Sequence, residues 1–161
     1  LSLHDALPIS WMSNWDYAAK LPSPIWRGSM TAPRELTLIS CNNDLFLSAL
    51  PISELAGSTE HTFTINTDED TEITISDSDQ KVLITFDSTT KKISLDRSKA
   101  WFSEFEELPQ VTPPVELDHF TLRILIDHGS LELFAVEAGI ALTTLTTLPA
   151  TSVFLQKTAK R

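Results

Sequence analysis

Apolar and polar residues alternate along most of this chain with a period of two. That is the pattern of strands with one face in a core and the other toward water. It is clearest over His119–Asp127, HFTLRILID, where Phe120, Leu122, Ile124 and Ile126 share one face and Thr121 and Arg123 point the other way. Shorter runs of the same kind occupy residues 62–65, 72–76, 81–86, 92–95, 130–134, 140–145 and 152–156. Their Val, Ile, Thr and Phe content suits a pleated, half-buried surface. Polar clusters at 68–70, 77–80, 87–90 and 127–130 separate them, the last with Gly129 to take the positive φ of a tight turn. Short strands joined by such turns predict an all-β chain built around an antiparallel β-sandwich. Helical periodicity is weak; the best stretch is 53–56, with Ser53 as N-cap.

Two further apolar runs, LTLIS and LFLSAL, flank Cys41-Asn42-Asn43-Asp44. Asn and Asp tolerate the left-handed conformation, so this reads as a hairpin turn, and Pro51 ends the second run. The expected layout is 10–40 as one unit, 41–56 as a linker and 57–161 as the sandwich. LPQVTPPV at 108–115 reads as a surface connection, because Pro113 and Pro114 cannot sit in a central strand. Residues 1–9, LSLHDALPI, start without Met and resemble the translation of a sequencing adapter. They lack the basic start and long apolar stretch of a signal peptide. They are set aside, and the chain is expected to be the 3′ part of a longer gene.

Composition narrows the function classes. Hydrophobic residues make up 42% of the 161, enough for a core, and no apolar run reaches the roughly 18 residues of a membrane span. The net charge of −10 disfavours a nucleic-acid partner. A lone cysteine, Cys41, excludes a disulfide framework and a Cys-based metal site. His4, His61, His119 and His128 lie far apart without ligand-type neighbours, so no metal and no cofactor is expected. Acidic clusters stand at Asp68-Glu69-Asp70 and at Glu104, Glu106 and Glu107; they read as solvated turn and loop charges. Asp96-Arg97-Ser98 reads as a local ion pair or turn at a strand end.

The aromatic segment at the start is different. WMSNWDYAAKLPSPIWRGSM holds three of the four tryptophans. Trp11 and Trp15 are four apart and would share one face of a strand. An indole stacks on the apolar face of a sugar ring, and its N–H can meet a hydroxyl. Packing of both rings between sheets is the other reading, and the spacing does not choose between them.

The order of the motifs does. Trp11-Met12-Ser13-Asn14-Trp15, Pro24, Trp26-Arg27-Gly28-Ser29-Met30-Thr31 and Pro33-Arg34-Glu35-Leu36 together resemble the last propeller blade of glycoside hydrolase family 32, the family of invertases, levanases and exo-inulinases. Downstream, Pro51-Ile52-Ser53-Glu54-Leu55 is similar to that family's P-V-x-E-L, and Leu95-Asp96-Arg97-Ser98 to its L-D-R-S. Asp127 to Phe134 has the spacing of D-R-S-S-V-E-V-F, and Leu142-Thr143 and Leu148-Pro149 follow like the final T…F-P. His128-Gly129 replaces the usual Arg-Ser, and Val136-Glu137-Ala138-Gly139 the usual N-D-G turn; both changes fall in hairpin loops.

This resemblance implies a sandwich preceded by a remnant of the last blade of a five-bladed β-propeller. It implies a retaining enzyme that releases terminal β-D-fructosyl units from sucrose, levan or inulin through a carboxylate nucleophile, a second carboxylate as acid/base and a third acid that stabilises the transition state. The family carries these in W-x-N-D-P-N-G, E-C and R-D-P, none of which occurs in these residues. No catalytic residue is therefore assigned, and the chain alone is expected to be inactive. Trp15 matches a residue that lines the family's fructose pocket and is carried over as substrate-binding; Trp11 is expected in the core. The implied partners are a fructose-containing oligo- or polysaccharide, the chain's own missing propeller, and through the sandwich a further copy of itself. A secreted or periplasmic site suits fructan degradation, with a cytoplasmic sucrose-phosphate enzyme as the other option. The alternative is a standalone sandwich that binds carbohydrate or serves structure and oligomerisation; its candidate platform, Trp101, Phe102 and Phe105, reads equally as an interdomain contact.

Overall fold

The computed structural model describes residues 7–20, 28–41, 44–53, 58–102, 108–148 and 154–160. Eleven strands are found among them, and every pairing is antiparallel. Strands β1 (Arg34–Cys41) and β2 (Asp44–Pro51) form a two-stranded sheet. The sandwich follows with β3 (Thr59–Asn66), β4 (Asp70–Asp77), β5 (Gln80–Asp87) and β6 (Lys92–Lys99). Then come β7 (Gln110–Val111), β8 (His119–Asp127), β9 (Ser130–Ala135), β10 (Ile140–Leu145) and β11 (Phe154–Lys160). One sheet runs β10-β9-β8-β3 and the other β11-β4-β5-β6-β7.

The period-two pattern explains the core. Ile73 and Ile75 of β4, Val82, Ile84 and Phe86 of β5, and Ile93 and Leu95 of β6 turn inward from one sheet. Phe120, Leu122, Ile124 and Ile126 of β8 and Leu131, Leu133 and Ala135 of β9 meet them from the other. The rings of Phe86 and Phe120 touch edge to face at 5.5 Å between centroids, closing the gap between sheets. The β8–β9 turn is the anticipated one, with Gly129 at φ +75°.

Several strands differ from the expectation: β3 starts at Thr59 and not at 62, and β6 runs on to Lys99, past the expected 95. Gln110 and Val111 pair with β6 inside the stretch read as a plain connection. Two residues carry too little alternation to be seen, and Pro113 and Pro114 stay outside the strand. Strand β11 runs on to Lys160, beyond the expected 156, because a charged edge strand shows no apolar face. The Asn42-Asn43 turn, most of the helical stretch at 53–56, Pro149 and the start of the 152–156 run lie outside the described residues.

Strand β9 departs from one-sided burial: Leu131 to Ala135 are all buried. Its second face, with Glu132 and Phe134, is covered by residues N-terminal to the sandwich. The β1–β2 hairpin covers the far end, where Gly139 (φ +65°) lies against it; a Cβ there would stand 2.9 Å from Ile39 Cδ1 and 3.0 Å from Ser48 Cβ. The opposite hairpin face leaves Leu38, Leu45 and Leu47 more than 60% exposed.

Across β3 and β8, Arg123 grips Glu60 with two hydrogen bonds of 2.9 and 3.0 Å, which hold its carboxyl below the usual range. Burial raises the Glu137 carboxyl, but hydrogen bonds from the Thr121 N–H and hydroxyl outweigh it and the net shift is downward. A carboxyl whose folded pKa is lowered stabilises the fold above its unfolded value, and that stability is lost as pH falls through the folded value. Thermal midpoints should therefore hold through neutral pH on this account and drop below about pH 4.5. Glu60→Gln should shallow that drop and cost no more than about 1 kcal/mol at pH 7, since the pair is partly solvated.

Candidate functional site

The aromatic segment folds back on itself. Thr31 N donates to Ser10 O at 2.8 Å, Met12 N to Ser29 O at 2.9 Å, and Ser10 N to the Thr31 hydroxyl at 2.9 Å. Trp11 and Met30 thereby face each other in an antiparallel bridge. Pro8, inside the stretch set aside as adapter-like, accepts the Arg34 N–H at 3.2 Å.

Asn14 then closes a turn. Its side-chain oxygen accepts the N–H groups of Asp16 and Tyr17 at 2.9 and 3.3 Å, and its carbonyl accepts that of Ala18 at 2.9 Å. This is an Asx turn, which explains the Asn by local chemistry. A single 3-10 turn, Ala18–Lys20, follows. The turn throws alternate side chains apart: Trp15 is 89% exposed, while Tyr17 is 7% exposed. The Trp11 and Trp15 rings are 5.4 Å apart and tilted by 59°. The turn, not strand alternation, brings them together.

Trp11 corrects the expectation that it packs in a core, since 42% of its surface is open. Gly28, at φ +80°, lies against the indole, where a Cβ would come within 2.3 Å of the indole nitrogen. Gly28→Ala should therefore displace the Trp11 ring from Trp15. The check is the near-UV circular dichroism of the indoles, expected to change while the far-UV β signal stays. Trp26 and Arg27 lie outside the described residues.

Two anchors tie this segment to the sandwich. Tyr17 meets Trp101 edge to face at 4.9 Å; Trp101 lies over the Arg97 guanidinium at 3.8 Å, and Arg97 donates to Leu145 O at 2.5 Å. Arg97 is thus a buried post inside β6; of the two readings of 96–98, the turn is seen, with Asp96 accepting the Ser98 N–H, and not the ion pair. At the second anchor Glu132 accepts the Ala32 N–H and the Arg34 guanidinium, each at 2.6 Å. Arg34 also donates to Thr143 Oγ1 at 2.6 Å and lies 5.2 Å over the Phe134 ring.

The pattern reading did not single out Asn14, Tyr17, Arg97 or Glu132 for these roles. Glu132 carried a signal: it stands between leucines in SLELFA, on the same face as Phe134. Of the two readings of the 101–105 stretch, Trp101 follows the contact reading, meeting Tyr17 of the N-terminal segment, with Phe102 beside it at 5.2 Å. Phe105 and the acids Glu104, Glu106 and Glu107 lie outside the described residues. His128 sits exposed in the β8–β9 turn, 2.7 Å from the Asp127 carboxylate. Among the described residues no three His, Cys, Asp or Glu side chains converge to hold a metal.

Comparison with known proteins agrees with this arrangement. The family described as "Glycosyl hydrolases family 32 C terminal" matches residues 34–152, and "Glycosyl hydrolases family 32 N-terminal domain" matches residues 2–49. The two overlap on the β1–β2 hairpin. A levanase of Bacillus sp. (strain L7) is 23% identical over 82% of this chain and 18% of its own length. An extracellular exo-inulinase of Aspergillus niger is 43% identical over 32% of this chain and 10% of its own length. The crystal structure of exo-inulinase from Aspergillus awamori superposes with a TM-score of 0.70 at 23% identity, covering 98% of this chain and 38% of that one. The chain thus spans well under half the length of these proteins. With the C-terminal match extending over most of its residues, this chain belongs to glycosyl hydrolase family 32.

Proposed function

We propose that this chain forms the C-terminal part of a retaining β-fructofuranosidase: residues 10–40 as the end of the catalytic propeller, 41–56 as the linker, and 57–161 as the sandwich. The parent would hydrolyse terminal β-D-fructosyl units of sucrose or of a fructan such as levan or inulin. Trp15 would be one wall of the fructosyl pocket. The observation that carries the reading is the solvent-facing Trp15 ring beside Trp11, at the matching place of a family whose relatives here include a levanase and an exo-inulinase.

In the parent the chemistry belongs to carboxylates outside these residues. A nucleophile forms a fructosyl–enzyme ester, an acid protonates the leaving oxygen, and water later releases fructose. An indole at the sugar contributes by apolar stacking and by excluding water from one face. The chain alone is therefore expected to release no reducing sugar from sucrose, inulin or levan, and measurable turnover would overturn the assignment. Inulin-derived fructo-oligosaccharide should perturb the indole signal of the chain weakly, and Trp15→Ala should remove that response.

A further inference from the structure

We infer that Trp101, held on Arg97, is a positioning residue for Trp15, so that the sandwich sets the sugar-facing wall of the site; this rests on the role proposed for Trp15. The argument is a continuous stack. Trp15 is 89% exposed and touches the Trp11 ring, so its direction is fixed by the backbone turn that carries it. Asn14 closes that turn from above. Tyr17, two residues on, is its buried foot, and it stands edge-on against Trp101.

Trp101 is itself immobilised. Its ring lies on the Arg97 guanidinium of β6, in the five-stranded sheet. Arg97 reaches across to Leu145 O at the end of β10, in the four-stranded sheet. The backbone before Trp101 is tied as well: Ala100 N donates to Arg97 O at 2.8 Å, and Thr147 N to Ala100 O at 2.9 Å. The post under Trp15 is thus rooted in both layers of the sandwich. It explains why Arg97 points inward from a stretch whose sequence reads as a local ion pair or turn.

The test uses the whole chain labelled with 5-fluorotryptophan, whose indoles are resolved by fluorine NMR and assigned by single Trp→Phe changes. Trp101→Leu should shift and broaden the Trp15 resonance. It should also speed amide exchange at Asp16, Tyr17 and Ala18 about two- to tenfold, the range expected for loss of one aromatic pair. Amides of β4 and β5 should keep their protection, and Trp101→Phe should restore Trp15. Tyr17→Leu, which leaves the sandwich core intact, should reproduce the effect should Trp101→Leu fail to fold. An unchanged Trp15 resonance and unchanged exchange in both variants would overturn the inference. A Trp15 resonance that responds to the joint but not to millimolar fructo-oligosaccharide would instead overturn the proposed role of Trp15 as sugar wall.

Discussion

Glu132→Ala is expected to cost about 3–5 kcal/mol and to release the N-terminal segment from the sandwich. The side chains of Arg34 and Glu132 are 16% and 6% exposed, so neither charge is rehydrated when its partner is lost. The carboxylate serves two donors at once, the Ala32 N–H through one oxygen and the guanidinium through the other. Truncation leaves a largely buried cation over the Phe134 ring with, among the described residues, the Thr143 hydroxyl to receive it, and strands a backbone N–H. For a chain of this size the melting midpoint should fall by about 10 °C. Glu132→Gln keeps one acceptor oxygen but sets an NH2 donor against the other donor, so it should recover only part of the loss. Arg34→Met combined with Glu132→Leu should recover part of the loss, because an apolar pair removes both desolvation penalties. The measurement is a double-mutant cycle by urea unfolding, with hydrogen exchange on the β1–β2 hairpin. A cost of Glu132→Ala below about 1 kcal/mol would show that the pair is not the anchor.

The sandwich could be read from the chain because its strands bury one face each. Residues 119–127 and 140–145 were placed to the residue, and the turns between strands announced themselves by Gly, Asp and Ser. What escaped were the features that need a partner in space. The alternation of β9 says that Leu131 and Leu133 face inward; it does not say that Glu132 and Phe134 are covered from outside. Asp96-Arg97-Ser98 reads as a local ion pair or turn, and only the neighbouring Trp101 and the end of β10 make Arg97 a buried post. Tyr17 and Trp15 lie two residues apart in one polar-looking turn, yet one is buried and the other almost wholly exposed. Trp11 and Trp15 were grouped correctly for the wrong geometric reason, since a turn joins them. The family motifs named Arg34 and the D-x-x-S-x-E-x-F stretch separately, whereas the structure shows that they are two halves of one contact.

Phe120→Ala should be the most destabilising truncation within the sandwich, at about 3–5 kcal/mol. The side chain is fully buried, stands opposite Ile65 in the β3–β8 register and meets Phe86 of the facing sheet edge to face. Ile73, Ile84, Ile93 and Leu122 line the space beside it. These neighbours hang from two different sheets whose spacing is held by all the other inter-sheet contacts, so they cannot close over the void left by a lost ring. Part of the cost is lost transfer energy, part the cavity, and part the aromatic pair with Phe86. Phe120→Leu refills most of the volume and should cost about 1–1.5 kcal/mol. The discriminating comparison is with Val111→Ala on the two-residue edge strand, 55% exposed, which should change stability by less than about 0.5 kcal/mol. The same contrast separates the two levels of the molecule. Phe120→Ala should lower the unfolding midpoint of the whole sandwich, whereas Glu132→Ala should first free the hairpin and the Trp15 turn. Loss of hairpin protection before loss of sandwich protection is therefore expected in Glu132→Ala, and simultaneous loss in Phe120→Ala. The reverse order would mean that the sandwich core depends on the N-terminal segment.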